Sequence, residues 1–133
     1  MLLVDTNVLI DVLEDDPDWA DWSVRQLRAQ AQVHDLLINP VIYAELSLLF
    51  DSVAATDKVI DNMGLVVAEL PRAALFLAGR AHVKYRQGGG TRSNVLADFF
   101  IGAHAAVAGC GILTRDDRRY RNYFPSVPLI SPD

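Results

Sequence analysis

The sequence has few of the features that mark exported, zinc-binding or membrane-spanning proteins. Cys110 is the only cysteine, which excludes an intrachain disulfide and a cysteine-based zinc site. The longest stretch without a formal charge, Phe99 to Thr114, is shorter than the ~20 residues that a membrane-spanning helix needs. No basic segment precedes Asp5, so no export signal is predicted. We therefore expect a cytoplasmic protein that is not bound to a membrane.

The composition is that of an ordered globular protein. The chain has 133 residues, of which 51% are hydrophobic and 22% are charged, and this predicts a single domain over residues 1–133. The three histidines, His34, His82 and His104, show no close ligand spacing. Since a zinc site needs such a cluster, a histidine-based zinc site is not expected.

The two halves of the chain carry opposite charge. Residues 1–69 contain 13 acids and three bases, whereas residues 70–133 contain nine bases and four acids, which together give the net charge of −5. An acidic total disfavours non-specific binding to nucleic acid, but the basic half can still supply a local phosphate-binding surface.

Short apolar runs alternate with helical patterns along the whole chain. The runs that predict strands are residues 2–4, 36–38, 65–67, 112–113 and 128–130. Such alternation predicts an α/β fold: a doubly wound parallel sheet of about five strands with helices on both faces.

Several helix boundaries can be predicted from capping residues. Asp18 is expected to cap a helix that runs to about Gln32, and Asn39 followed by Pro40 is typical of a helix start. Further helices are predicted at about residues 56–63, 71–86, 98–108 and 117–123, with the glycine-rich segment 87–91 as a flexible loop.

Four acids are candidates for an active site. Asp5 and Asp116 each follow a strand-like run, and ligands bind at the carboxyl ends of the strands in such sheets. Glu45 has Val41, Ile42, Leu48 and Leu49 as its helical neighbours, so it is expected to share an apolar stripe.

Asp98 lies in a segment that is otherwise without charge. Acids in such surroundings need a cation, a donor or a metal as partner. Helix capping is the ordinary alternative for Asp5, Asp98 and Asp116 taken one at a time.

Clustered carboxylates repel one another unless a cation compensates their charge. Oxygen ligands favour Mg²⁺ or Mn²⁺, and such a centre would hydrolyse phosphodiester bonds. Thr6, Asn7 and Thr114 are short polar residues beside the acids and can orient them. For Thr6 alone, helix capping is the favoured single role.

The ordered set of acids and their flanking residues resembles a PIN-domain protein, and within that family a VapC-type toxin of a toxin–antitoxin pair. The resemblance rests on Leu-Val-Asp5-Thr6-Asn7-Val-Leu-Ile, on Glu45 in a helix after Asn-Pro, on Asp98 in Ala-Asp-Phe-Phe-Ile-Gly-Ala-His-Ala, and on Ile-Leu-Thr-Arg-Asp116. It extends over nearly the whole chain.

The resemblance implies an Mg²⁺-dependent endoribonuclease, a VapB-like antitoxin that blocks the site, and a homodimer. It assigns metal binding to Asp5, Glu45, Asp98 and Asp116, with Asp117 as the alternate of Asp116. Bases in the second half are then expected to contact the RNA backbone; the candidates are Arg80, Lys84, Arg86, Arg92 and Arg115.

Other protein classes with an acid after the first strand need residues that this chain lacks. A phosphatase with a covalent Asp nucleophile needs a second acid two residues after the first, where this chain has Asn7. A signalling receiver domain needs an Asp after the third strand, and Leu65 to Pro71 contains none. A PIN-fold binding module without catalysis, and a solitary PIN nuclease of RNA processing, stay open.

Overall fold

The computed structural model describes residues 1–92 and 95–132, and a single parallel sheet lies at the centre of this part of the chain. Its strands follow the predicted apolar runs: β1 (Leu2–Val4), β2 (Leu36–Ile38), β3 (Val66–Val67), β4 (Gly111–Leu113) and β5 (Leu129–Ile130). The strand order is β3-β2-β1-β4-β5, and every neighbouring pair is parallel. The predicted α/β class with a five-stranded parallel sheet is confirmed.

Helices connect successive strands: α1 (Thr6–Leu13), α2 (Ala20–Ala31), α3 (Pro40–Ser47), α4 (Val53–Asn62), α5 (Arg72–Gln87), α6 (Leu96–Ala108) and α7 (Arg118–Tyr123). The chain moves outward in one direction from β1 to β3 and then crosses to β4 and β5 on the other side. Because parallel crossovers are right-handed, a reversal of this kind predicts helices on both faces of the sheet. No helix within the described ranges is both long and apolar enough to cross a membrane.

The first strand is the middle of the sheet. Leu3 pairs with Leu37 of β2 on one side and with Ile112 of β4 on the other. All three residues of β1 are buried, as expected for a strand that has helices above and below it. The carboxyl end of β1 is therefore held between two neighbouring strands, and the residue that follows has a fixed position.

The cap of α2 differs from the prediction. The helix begins at Ala20. In the turn before it, the side chain of Asp16, not that of Asp18, binds the backbone: Asp16 Oδ1 accepts from the N–H groups of Asp18 and Trp19, both at 2.9 Å. Asp18 itself is exposed. Three acids stand close together before this helix, so the sequence pattern alone did not separate them.

Helices α3 and α4 begin at residues whose side chains cap them. Asn39 accepts a hydrogen bond from Ile42 N at 3.0 Å, and Pro40 lies in the first turn of α3, as predicted. Helix α4 begins earlier than predicted, because Ser52 accepts from Ala55 N at 3.0 Å and caps it. Helix α6 begins at Leu96, so that Asp98 lies within its first turn.

Candidate active site

The candidate site lies at the carboxyl ends of β1 and β4, the two strands between which the strand order reverses. Asp5 directly follows β1, and its backbone N–H donates to Leu113 O at 2.9 Å. Thr114 directly follows β4 and is fully buried. In open α/β sheets this switch point is where ligands bind.

Asp5 is a buried carboxylate that is held by hydroxyl groups. Its Oδ2 accepts from Tyr120 Oη and from Thr114 Oγ1, both at 2.8 Å, and more distantly from the Asn7 amide at 3.5 Å. Burial raises the pKa of Asp5 to about 6, and the bonds from Tyr120 and Thr114 only partly counter it. Asp5 is the cap residue of α1 but makes no side-chain capping bond, so capping does not explain its place.

Asp98 shares the site and has a cationic partner. It lies in the first turn of α6, and its Oδ2 accepts from Arg119 Nη1 at 2.8 Å. Burial raises the pKa of Asp98, while the bond and the charge of Arg119 lower it. Asp98 also raises the pKa of Asp5 by charge repulsion, which shows that the two carboxylates are electrostatically coupled.

The structure separates the two adjacent candidates for the fourth acid. Asp116 is exposed and pairs with Arg118 at 3.3 Å, and this hydrogen bond is the main reason that its pKa is lowered. Asp117 is the cap residue of α7 and bonds to Arg121 at 2.7 Å and to Ser131 at 2.8 Å. Asp116 lines the cavity described below, and Asp117 is not among the lining residues.

Glu45 reaches the site through Thr6. The Thr6 hydroxyl donates to Glu45 Oε1 at 2.7 Å, and the charge of Glu45 contributes to the raised pKa of Asp5. The predicted apolar stripe around Glu45 is wrong in its second half, because α3 ends at Ser47 and Leu48 is 85% exposed. The capping role favoured for Thr6 is also wrong, since its hydroxyl binds Glu45 instead.

A cavity of about 370 Å³ joins these groups. One part of its wall is acidic and the rest is basic, amide and aromatic. The lining residues are Asp5, Asn7, Tyr85, Arg92, Asp98, Asp116, Arg118, Arg119, Asn122 and Tyr123. Three of the four predicted acids thus line one cavity, and Glu45 is not among its lining residues.

The chemical type of the candidate ligands suits a hard divalent cation. All four candidate ligands are carboxylates, and oxygen donors are those that Mg²⁺ prefers. Asp5 is buried beside two other negative charges, a situation that a bound cation would relieve. Within the described ranges, no three histidine, cysteine or acidic side chains already stand close enough together to hold a metal ion, and Asp98 is engaged by Arg119.

The predicted RNA-contacting bases have different surroundings. Arg92 lines the cavity, and Lys84 and Arg86 are exposed in the last turn of α5. Arg80 lies over the Phe76 ring, 5.1 Å from its centroid.

Arg115 is not a lining residue. Its Nε and Nη2 bind the two carboxylate oxygens of buried Asp11 at 2.7 and 3.0 Å, and Asp11 also accepts from Ser23. Its guanidinium lies 5.6 Å from the Trp19 ring centroid.

Two important residues of the site were not predicted as such. Tyr120 is 1% exposed and donates to Asp5, and Arg119 binds Asp98. The signal in the sequence was the short basic and aromatic helix directly after Asp116, in which Tyr120 and Phe124 have the i, i+4 spacing of a buried face.

The fold and the site together define a class: a doubly wound α/β protein with an acid-lined cavity at the switch point of its sheet. The chain belongs to the PIN-domain family, whose model matches residues 2–125. No curated protein matches the sequence.

Several solved structures are similar to the chain. They include VapBC2 from Rickettsia felis bound to a DNA fragment from their promoter (18% identity, 99% of this chain and 98% of that chain, TM-score 0.75). VapBC-1 from nontypeable Haemophilus influenzae is also similar (14% identity, 98% and 96%, TM-score 0.73), as is DNA-bound VapBC from Salmonella typhimurium (18% identity, 98% and 96%, TM-score 0.71). At these identities the likeness establishes the fold.

Proposed function

We propose that the protein is an Mg²⁺-dependent endoribonuclease, the toxin of a VapBC-type toxin–antitoxin pair. The observation that carries the proposal is that Asp5, Asp98 and Asp116, from three separate parts of a PIN-family chain, line one cavity at the switch point of the sheet. Mn²⁺ is the expected substitute for Mg²⁺, because both prefer carboxylate and water ligands.

Asp5, Asp98 and Asp116 would hold the metal, and Glu45 would support it through Thr6. When bound, Mg²⁺ would stabilise the charge that develops on the phosphate and lower the pKa of a coordinated water. With a pKa of about 6, Asp5 is mostly ionised at neutral pH and can bind a cation there.

The neighbours of Asp5 orient it for this task. Tyr120, Thr114 and Asn7 all donate to Oδ2, and Oδ1 accepts no hydrogen bond from any of the described residues. Preorganised ligands of this kind lose little freedom on binding. In the reaction, water adds to phosphorus, one P–O ester bond breaks, and the leaving oxygen takes up a proton.

The partner proposal follows from the similar structures. Each of the three described above is a VapBC complex, and we propose that a VapB-like antitoxin binds this chain and blocks its cavity. We also propose a homodimer, as is typical of the family.

The direct test is cleavage of a labelled single-stranded RNA with Mg²⁺ by the wild type and by Asp5→Asn, Asp98→Asn and Asp117→Asn. Loss of a carboxylate that holds the metal should reduce the cleavage rate by roughly 10²-fold or more. Asp117→Asn is the matched control, since this acid adjoins Asp116 but is not a lining residue. Circular dichroism and thermal melts would show that each variant is folded.

Cleavage by the wild type that EDTA leaves unchanged, or equal rates in all four proteins, would refute the metal-nuclease proposal. A wild type that cleaves no RNA but copurifies with its antitoxin would instead favour the binding module without catalysis. The ion pair of Asp98 with Arg119 is the feature that this second candidate would explain, because a non-catalytic site needs its carboxylates neutralised.

A further inference from the structure

Arg119 is one of three arginines in the wall of the cavity that also holds three aspartates. It lies on α7 and lines the cavity together with Asp5, Asp98 and Asp116. Its Nη1 donates to Asp98 Oδ2 at 2.8 Å, and its side chain is 23% exposed. The side chain is therefore mostly buried, and it lines the cavity.

The position of this guanidinium is held from several sides. Its central carbon lies 5.6 Å from the ring centroid of Tyr85, a cation–π contact. The next residue along the chain, Tyr120, is buried and bonded to Asp5, while Asp117 at the start of α7 is bonded to Ser131. Helix α7 thus presents two consecutive side chains to two different acids of the site.

The hydrogen-bonding capacity of Arg119 is largely unused. A guanidinium has five N–H donors, and the bond to Asp98 is the only one that Arg119 makes to the side chains described. Arginine binds phosphate through two parallel N–H groups, and such charge-assisted bonds are short and strong. The remaining N–H donors of Arg119, in the wall of the cavity, are suited to bind an anionic substrate.

We propose that Arg119 binds the scissile phosphate of the RNA and stabilises the negative charge that its non-bridging oxygens gain during hydrolysis. This inference rests on the proposed nuclease function and adds a residue to it. A phosphodiester approaching three carboxylates meets repulsion, which the arginines of the wall offset, and Arg119 is the one that is bonded to Asp98. The alternative is that Arg119 only neutralises Asp98. Its loss would then free Asp98 to bind the metal, and cleavage would become faster, not slower.

Cleavage kinetics of Arg119→Ala, Arg119→Lys and Arg121→Ala separate the two roles. We expect Arg119→Ala to lower kcat by roughly 10²- to 10³-fold, as for other groups that stabilise transition-state charge. Arg119→Lys should recover part of the loss, because lysine keeps the charge but not the planar fork. Arg121 lies on the same helix and also pairs with a carboxylate, Asp117, so its variant should cleave like the wild type.

A binding measurement tests the same contact without turnover. In EDTA, fluorescence anisotropy of a labelled single-stranded RNA would compare Asp5→Asn with Asp5→Asn/Arg119→Ala. Loss of one phosphate contact should weaken binding about five-fold or more and reduce the salt-dependence slope by about one unit.

The proposal is overturned if Arg119→Ala cleaves as fast as or faster than the wild type, or if the double variant binds RNA like Asp5→Asn. Failure of the nuclease proposal is distinct from either outcome. It would show as absence of cleavage in the wild type and in Arg121→Ala alike. The anisotropy comparison would then test only whether Arg119 binds an RNA phosphate.

Discussion

Tyr120 Oη donates a hydrogen bond of 2.8 Å to Asp5 Oδ2, and both side chains are buried. This contact joins the end of the first strand to the last helix, two segments 115 residues apart in sequence. Most of the free energy of such a bond is cancelled by the loss of bonds to water, but a buried partner left unsatisfied is costly. The contact therefore matters most for what it does to the carboxylate.

Removal of the Tyr120 hydroxyl should raise the pKa of Asp5 further. The Tyr120 bond is the largest factor that lowers this pKa against the effect of burial, and Tyr120→Phe keeps the ring in the core. We expect the acidic limb of the RNA-cleavage pH profile to move to higher pH. A profile that stays at the wild-type position would contradict the assignment.

Tyr43→Phe is the matched control for Tyr120→Phe. It also removes a tyrosine–aspartate bond of 2.8 Å, to Asp57, but at an exposed position. Water can replace that bond, so neither the pH profile nor the stability should change measurably.

The buried carboxyl of Asp5 should make the metal-free protein less stable as pH rises. Its pKa is 3.8 unperturbed and about 6 when folded, so between these values the folded state binds the proton that the unfolded state has lost. Stability from this group is full below pH 3.8 and is lost as pH rises through 6, by at most about 3 kcal/mol. Asp5→Asn should lack this contribution.

The check is a series of urea denaturations between pH 4 and pH 7 in EDTA, with the difference between the wild type and Asp5→Asn plotted against pH. Subtraction removes the contributions of Asp116 and Asp117, whose pKa values are also shifted, and leaves that of Asp5 together with its charge repulsion with Asp98. A difference that does not vary with pH would be inconsistent with a raised pKa at Asp5.

The ion pair between Arg115 and Asp11 should stabilise the fold. Asp11 is 2% exposed and is bound by two guanidinium nitrogens of Arg115, so Arg115→Ala leaves a buried charge without its cation. We expect the free energy of unfolding to fall by roughly 3 kcal/mol.

Arg118→Ala serves as the comparison for Arg115→Ala, since it breaks an exposed pair with Asp116. Exposed pairs are screened by water and salt, and no measurable change in stability is expected. Urea midpoints of the two variants at pH 7 would decide. Equal losses of stability in the two variants would mean that the burial of Asp11 does not determine how strongly its ion pair with Arg115 stabilises the fold.

Two helical glycines should respond in opposite ways to alanine. A Cβ at Gly102 on α6 would clash with the Phe124 ring, and such overpacking typically costs about 1–3 kcal/mol. A Cβ at Gly79 on α5 would meet nothing within 4 Å, so Gly79→Ala should stabilise the helix by up to about 1 kcal/mol. Thermal melts measure both, and a stabilised Gly102→Ala would contradict the close packing of α6 on Phe124.

The strands and the acids that follow them were predictable because each depends on a short stretch of sequence. Asp5 and Asp116 follow apolar runs that pair side by side, and Asp98 is the only charge in a long apolar helix. These local patterns placed three acids in one cavity. Metal binding by the acids and contact of the basic residues with an RNA backbone stay predictions.

What sequence reasoning missed depends on distant contacts or on where a helix ends. Nothing local indicates that Tyr120 reaches Asp5, because the contact exists only once β1 and β4 are paired. Leu48 continued the apolar spacing of Glu45 but lies beyond the end of α3, on the surface. Asp18 was the predicted cap of α2, but the fold of the turn before this helix gives the hydrogen bonds to Asp16 instead.

The position of β1 in the middle of the sheet has a consequence for synthesis on the ribosome. Strand β1 is made before both of its neighbours, and the second of them, β4, is made only at residues 111–113. Pairing over such a separation closes a long loop and forms late in folding. Until residues 111–120 have left the exit tunnel, Asp5 lacks its bonds to Thr114 and Tyr120, and the growing chain has no assembled acidic cavity.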